Sequence, residues 1–165
     1  MSEQDKKLLE FEVARENRRF EIQMFWQRSN YFLALNSALG IALFAIKGPL
    51  YLTLISGVGI VCSLLWFRTN VGAKFWQKFW EAEVHELAKG LDMKAFALTD
   101  DEIMANTRTF GRTDDKTFLK RFVDREIEKK PSVSYNMILL SLFAVFCWCA
   151  LTAINGLHWI SHLLE

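Results

Sequence analysis

A chain of 165 residues with 20 Lys and Arg against 19 Asp and Glu carries a net charge of +1, which excludes a nucleic-acid binder built on a basic field. Just over half of the residues (52%) are hydrophobic, and they are gathered into long runs, so no sizeable water-soluble core remains. Cys62, Cys147 and Cys149 all lie inside those runs in no CxxC or Cys/His pattern, which excludes a zinc framework and leaves them as small apolar residues.

Residues 1–28 are charged but periodic. Leu9, Val13, Phe20 and Met24 recur at helical spacing, with Arg15, Glu16, Arg18 and Arg19 on the other faces. This predicts an amphipathic helix, either packed on its neighbours or lying at the headgroups with its arginines toward anionic lipid. The charges that precede the first apolar run are unlike a cleavable signal peptide, so the first span is expected to act as its own insertion signal.

The stretch from Ser29 to Phe67 organises the chain. Two charge-free runs, 29–46 and 50–67, flank Lys47-Gly48-Pro49. Each has roughly the 18–20 residues that a helix needs to cross the hydrocarbon, and neither shows the polar face of a soluble core helix. Gly48 and Pro49 stop one helix and start the next, predicting an antiparallel membrane hairpin.

Within the hairpin the polar residues are mild. No Asp, Glu, Lys, Arg or His falls at mid-depth, which argues against ion-coupled transport. Ala34, Ala38 and Ala42 form one small-residue stripe; Gly59 and Ser63 form a small-xxx-small pair, with Gly57 close by. Such stripes serve packing within the hairpin or contact between subunits. Asn36 is either an interhelical hydrogen-bonding group or part of a pore-facing polar ring. In the second case Ser37, Thr53 and Ser56 would line the pore with it. Trp26, Tyr31, Trp66 and Trp76 fall at the expected membrane entry and exit and are expected to form an aromatic belt.

Residues 68–134 form the largest water-facing part, and their pattern is helical throughout. Phe75, Trp76, Phe79, Trp80, Val84, Leu87 and Leu91 make one apolar stripe. One helix cannot bury that many aromatics alone, so the stripe implies a partner surface, and Trp76, Phe79 and Trp80 are expected in it. His85, among glutamates, is a surface ion-pair residue or a pH sensor. Gly90 is expected to break or end the helix. Thr99-Asp100-Asp101-Glu102 is a capping box. A further helix, capped by Thr113 or Asp114 and carrying Phe118 and Ile127, is expected to end at Lys129-Lys130-Pro131.

Residues 135–156 read as a third span, ended by Asn155-Gly156. Residues 157–165 form an outer or interfacial tail. In it His158 and His162 are spaced i, i+4, as metal ligands on a helix can be. With Glu165 as the one nearby carboxylate, neither metal nor any other cofactor is expected.

Nineteen of the twenty Lys and Arg lie in residues 1–28 and 68–134, so the positive-inside rule makes those segments cytoplasmic. Three spans then put the N-terminus inside and the C-terminus outside. The fold expected is an all-α membrane protein: a hairpin plus a C-terminal span, with a helical cytoplasmic module.

Several pieces together resemble the RipA-type octameric membrane proteins of bacteria: Phe25-Trp26-Gln27-Arg28-Ser29-Asn30-Tyr31, Trp66-Phe67 with Gly72, Trp76-Gln77, Trp80-Glu81, and Ser132-Val133-Ser134 before the last span. The resemblance covers about Phe20 to Trp148. It implies a ring of small subunits in the bacterial cytoplasmic membrane and a role in adaptation to host or stress conditions, and it brings no catalytic residues. A weaker resemblance is to small two-helix membrane effectors of bacterial conflict systems, from which the third span departs. No nucleophile elbow, His-Glu-x-x-His, phosphate loop or Rossmann fingerprint is present, so no enzyme is expected. The expected partners are the lipid bilayer, further copies of the chain and an unidentified cytoplasmic protein, and no nucleic acid. The leading function is a ring-like scaffold or adaptation factor; the alternative is a pore- or channel-forming effector.

Overall fold

The computed structural model describes residues 2–45, 48–94, 96–99, 101–103, 105 and 132–164, with side chains as far as Leu157. Among these residues every long element is an α-helix and none is a strand. The three helices are α1, Glu3–Ala45; α2, Pro49–Gly90; and α3, Val133–Leu164. The cap at Thr113 or Asp114, the helix through Phe118 and Ile127, and the stop at Lys129-Lys130-Pro131 lie outside the described residues.

The helix ends follow their capping chemistry. Ser2 and Asp5 cap α1 reciprocally: the Ser2 N–H donates to Asp5 Oδ2 (2.8 Å) and the Asp5 N–H to Ser2 Oγ (3.1 Å). Gly48 sits at φ 123°, open in practice only to glycine, and its carbonyl accepts the first bond of α2 from Leu52. Pro49 is the first residue of α2, where its missing N–H is an orphan position anyway. The expected stop at Gly90 is present: it is the last residue of α2, and the residues after it close the helix. Asp92 takes the left-handed conformation (φ 55°), the Met93 N–H reaches back to the Ala88 carbonyl, and the Asp92 N–H to that of Lys89. This is a Schellman closure with aspartate where glycine is usual.

α1 runs unbroken through residue 28, so the charged segment leads directly into the apolar run. One expected boundary within a helix is absent. α3 starts at Val133 and runs through Asn155 and Gly156 to Leu164. A helical glycine costs only about 1 kcal/mol, less than abandoning backbone hydrogen bonds in apolar surroundings.

The chain divides into two compact units. Unit 1 comprises Met1–Phe20 with Trp76–Val133, and unit 2 comprises Glu21–Phe75 with Ser134–Glu165. In unit 1 the core is Phe11 and Ala14 of α1 against Val84 and Ala88 of α2, with Trp80, Leu87, Leu91, Met93 and Ala97 packed around them. Phe11 meets Phe96 edge to face, with centroids 5.4 Å apart. The α1 face that is buried is therefore not the Leu9, Val13 and Phe20 stripe, which is exposed. The small Ala14 and Ala88 let the helices approach, and Phe11 fills the gap beside them, a pairing that hydrophobic spacing along α1 alone does not favour. Of the α2 stripe, Trp80, Val84, Leu87 and Leu91 serve this core. Arg18 and Glu81 form an exposed ion pair across it at 3.4 Å, the kind of contact that adds little stability. The Thr99–Glu102 capping box is present: the Thr99 N–H and hydroxyl both donate to Glu102 Oε2, at 2.7 and 2.8 Å.

Unit 2 is a three-helix bundle in which α1 and α2 are antiparallel and α3 runs parallel to α1. Among the described residues, α2 and α3 contain windows long and apolar enough to cross a membrane.

Two predictions follow from the caps. Asp92→Gly relieves the left-handed strain and should stabilise unit 1 by roughly 1 kcal/mol, read as a higher thermal midpoint in detergent; a lower midpoint would contradict the Schellman assignment. The Ser2 hydroxyl and N–H hold the Asp5 carboxyl below its ordinary 3.8, and the Thr99 N–H and hydroxyl hold Glu102 below 4.5. A lowered folded pKa favours the charged form, so both caps contribute fully above those values and weaken as pH falls below them. Amide exchange at Asp5 and Glu102 should therefore accelerate below about pH 4, after correction for intrinsic rates.

Candidate functional site

The side chains of unit 2 that differ most from their surroundings are two polar clasps in an apolar interior. Each joins all three helices. In the first, the Ser29 hydroxyl of α1 donates to Asn70 Oδ1 of α2 (3.0 Å), and Asn70 Nδ2 donates to the Met137 carbonyl of α3 (3.2 Å). In the second, Asn36 Oδ1 of α1 accepts from the Ser63 hydroxyl of α2 and from Trp148 Nε1 of α3, both at 2.8 Å. Asn36 Nδ2 donates to the Phe32 carbonyl at 2.9 Å, so the amide uses both ends.

Spacing makes the two clasps repeat. Ser29 and Asn36 are seven residues apart on α1, and Ser63 and Asn70 are seven apart on α2. Seven residues are two turns, about 10 Å, and bring the same helix face round again. One antiparallel register therefore satisfies both pairs. Ser29, Ser63 and Asn70 are at most 1% exposed, and a polar group at such a position needs a protein partner.

Close approach completes the second clasp. A Cβ on Gly59 would collide with the Trp148 indole, so α2 and α3 meet at this depth only because residue 59 has no side chain. Trp148 is 6% exposed and fills the space that the glycine leaves. Phe32 of α1 stacks on Trp66 of α2, with centroids 6.4 Å apart and planes 12° apart. Trp66 is buried in the bundle, and among the described residues its Nε1–H has no hydrogen-bond partner. Ser141 of α3 is buried as well, and its hydroxyl donates to the Ile138 carbonyl.

The other residues singled out in the sequence divide into inner and outer sets. Gly59, Ser63 and Asn36 meet at the second clasp, and Ser56 is buried with its hydroxyl returned to the carbonyls of Leu52 and Thr53. Ala34 and Ala38 are exposed on α1, Ala42 is half-buried, and a Cβ on Gly57 would meet nothing within 4 Å. Ser37 and Thr53 are exposed, but each hydroxyl donates to its own helix, to Leu33 and Pro49. Trp26 and Tyr31 are exposed, and the Tyr31 hydroxyl accepts from Gln27 Nε2. In unit 1, Trp76 and Phe79 are exposed in an edge-to-face chain that continues to the half-buried Trp80. Ion pairing is sparse in unit 2: Arg28 approaches Glu21 at 4.0 Å, a contact too long to be a hydrogen bond. Among the described residues no His, Cys, Asp and Glu cluster could hold a metal; the side chains of His158 and His162 lie outside them. Ser29, Asn70, Met137 and Trp148 were not singled out from sequence. The shared seven-residue spacing of Ser29–Asn36 and Ser63–Asn70 is the signal that could have found the first two.

The architecture of apolar helices joined by internal polar contacts agrees with comparison against known families. Residues 8–157 match the octameric membrane protein family, 8xMP. The chain belongs to that family. No curated protein and no solved structure matches it. Membership makes this a membrane protein of a family described as octameric, so self-association joins packing within the protomer as a demand on these helices. The inner set of small and polar residues meets the second demand, and the outer set is available for the first.

Three substitutions separate the contributions. Asn36→Leu leaves the Ser63 hydroxyl and the Trp148 N–H without their acceptor and should destabilise the bundle by about 1–2 kcal/mol. Trp66→Phe loses no hydrogen bond made among the described residues and should cost less than Asn36→Leu, despite the larger volume removed. Gly59→Leu should separate α2 from α3 and cost more than either. Reversible unfolding in mixed micelles ranks them; Trp66→Phe as costly as Asn36→Leu would mean that the indole N–H is bonded in the membrane.

Proposed function

We propose that the chain is a non-enzymatic, ring-forming scaffold of the bacterial cytoplasmic membrane, of the RipA type, serving adaptation to stress or host conditions. Its protomer crosses the membrane three times, with α1 as the third crossing helix beside α2 and α3. The observation that carries the scaffold reading is the use made of Asn36: both ends of its amide are bonded within one protomer. The polar residues that a pore would need are either occupied in the interior, like Ser63 and Ser56, or turned back onto their own helix, like Ser37 and Thr53. A channel lining instead offers its polar groups to ions and water.

A crossing by α1 is supported by the same bonds. Ser29 and Asn36 lower its hydropathy, but each is matched by a partner in the bundle, so lipid meets little of that polarity. The placement of 19 of the 20 Lys and Arg supports a cytoplasmic N-terminus and a periplasmic C-terminus. Unit 1 then faces the cytoplasm, and its exposed Trp76 and Phe79 offer a docking surface for a cytoplasmic protein. Between copies, the exposed Ala34 and Ala38 would permit close helix contact in lipid.

Purified protein in nanodiscs should have the mass of eight copies, and Ala34→Phe/Ala38→Phe should lower that mass without unfolding the protomer. Liposomes containing the octamer should show no ion flux above protein-free vesicles. A flux abolished by Asn36→Leu would replace the scaffold with the channel reading, and a monomer at all protein-to-lipid ratios would refute the ring.

A further inference from the structure

We draw no further inference here: the strongest candidate, the exposed apolar face of α1 formed by Leu9, Val13 and Phe20 in unit 1, carries none because nothing in the structure shows what covers it.

Discussion

The Asn36 amide is the contact on which the bundle depends. Inside a bundle set in lipid, water is not available to satisfy a polar side chain, so a buried amide must find its partners in the protein or stay out of the interior. Asn36 finds them on all three helices: a hydroxyl from α2, an indole N–H from α3 and a carbonyl of its own helix. Apolar contacts alone leave helices in lipid free to slide and rotate, because a leucine against lipid tails is nearly as well placed as one against another leucine. A directional bond of known length removes that freedom. Ser29 and Asn70, two turns away, repeat the constraint, and two such points on one face fix both the rotation and the register of α1 against α2.

The glycine at 59 and the tryptophan at 148 belong to the same device. Trp148 Nε1 reaches Asn36 on α1 only if the indole passes over α2 at a point where α2 is thin. Packing and hydrogen bonding are therefore coupled: a side chain at residue 59 would break a bond it does not itself make. Trp66 shows the opposite case: area burial and the Phe32 stack hold the ring, and its Nε1–H has no partner among the described residues. Two tryptophans in one bundle thus do different work, one as a donor and one as volume.

Much of the helical layout was legible in the sequence, because helices in lipid announce themselves by length and lack of charge. The left-handed Gly48, the start of α2 at Pro49 and the Thr99–Glu102 capping box rest on local chemistry, and local chemistry decides them. What failed depended on neighbours. Gly90 and Gly156 both look like stops, yet a glycine ends a helix only where the chain gains by turning: the turn at Asp92 lets α2 end at Gly90, and nothing closes α3 at residue 156. Which face of the first turns of α1 packs on α2 also depends on neighbours. Leu9, Val13 and Phe20 are regularly spaced, but Val84 and Ala88 on α2 select Phe11 and Ala14. Trp66 was read as interfacial from its place near the end of an apolar run, and its burial follows from the ring of Phe32, 34 positions away. The Ser29, Asn70 and Trp148 contacts were invisible because each is ordinary alone and acquires meaning only in the register.

The division into inner and outer residues constrains how copies of this chain associate. The strong polar groups of the bundle are already bonded within the protomer, and the exposed hydroxyls of Ser37 and Thr53 are bonded to their own helix. Among these residues few donors or acceptors are left over to bridge one copy to the next, and close van der Waals contact between helices in lipid rewards small and flat surfaces over polar ones. The exposed side of α1 sets the small Ala34 and Ala38 beside the bulky Ile41, and the exposed sides of α2 and α3 carry Tyr51, Leu54, Phe143 and Phe146. A closed ring needs two different faces on each protomer that fit each other. The pair of alanines beside Ile41 on α1 and the aromatic side chains exposed on α2 and α3 are faces of different shape, a difference present before any polar contact between copies is considered.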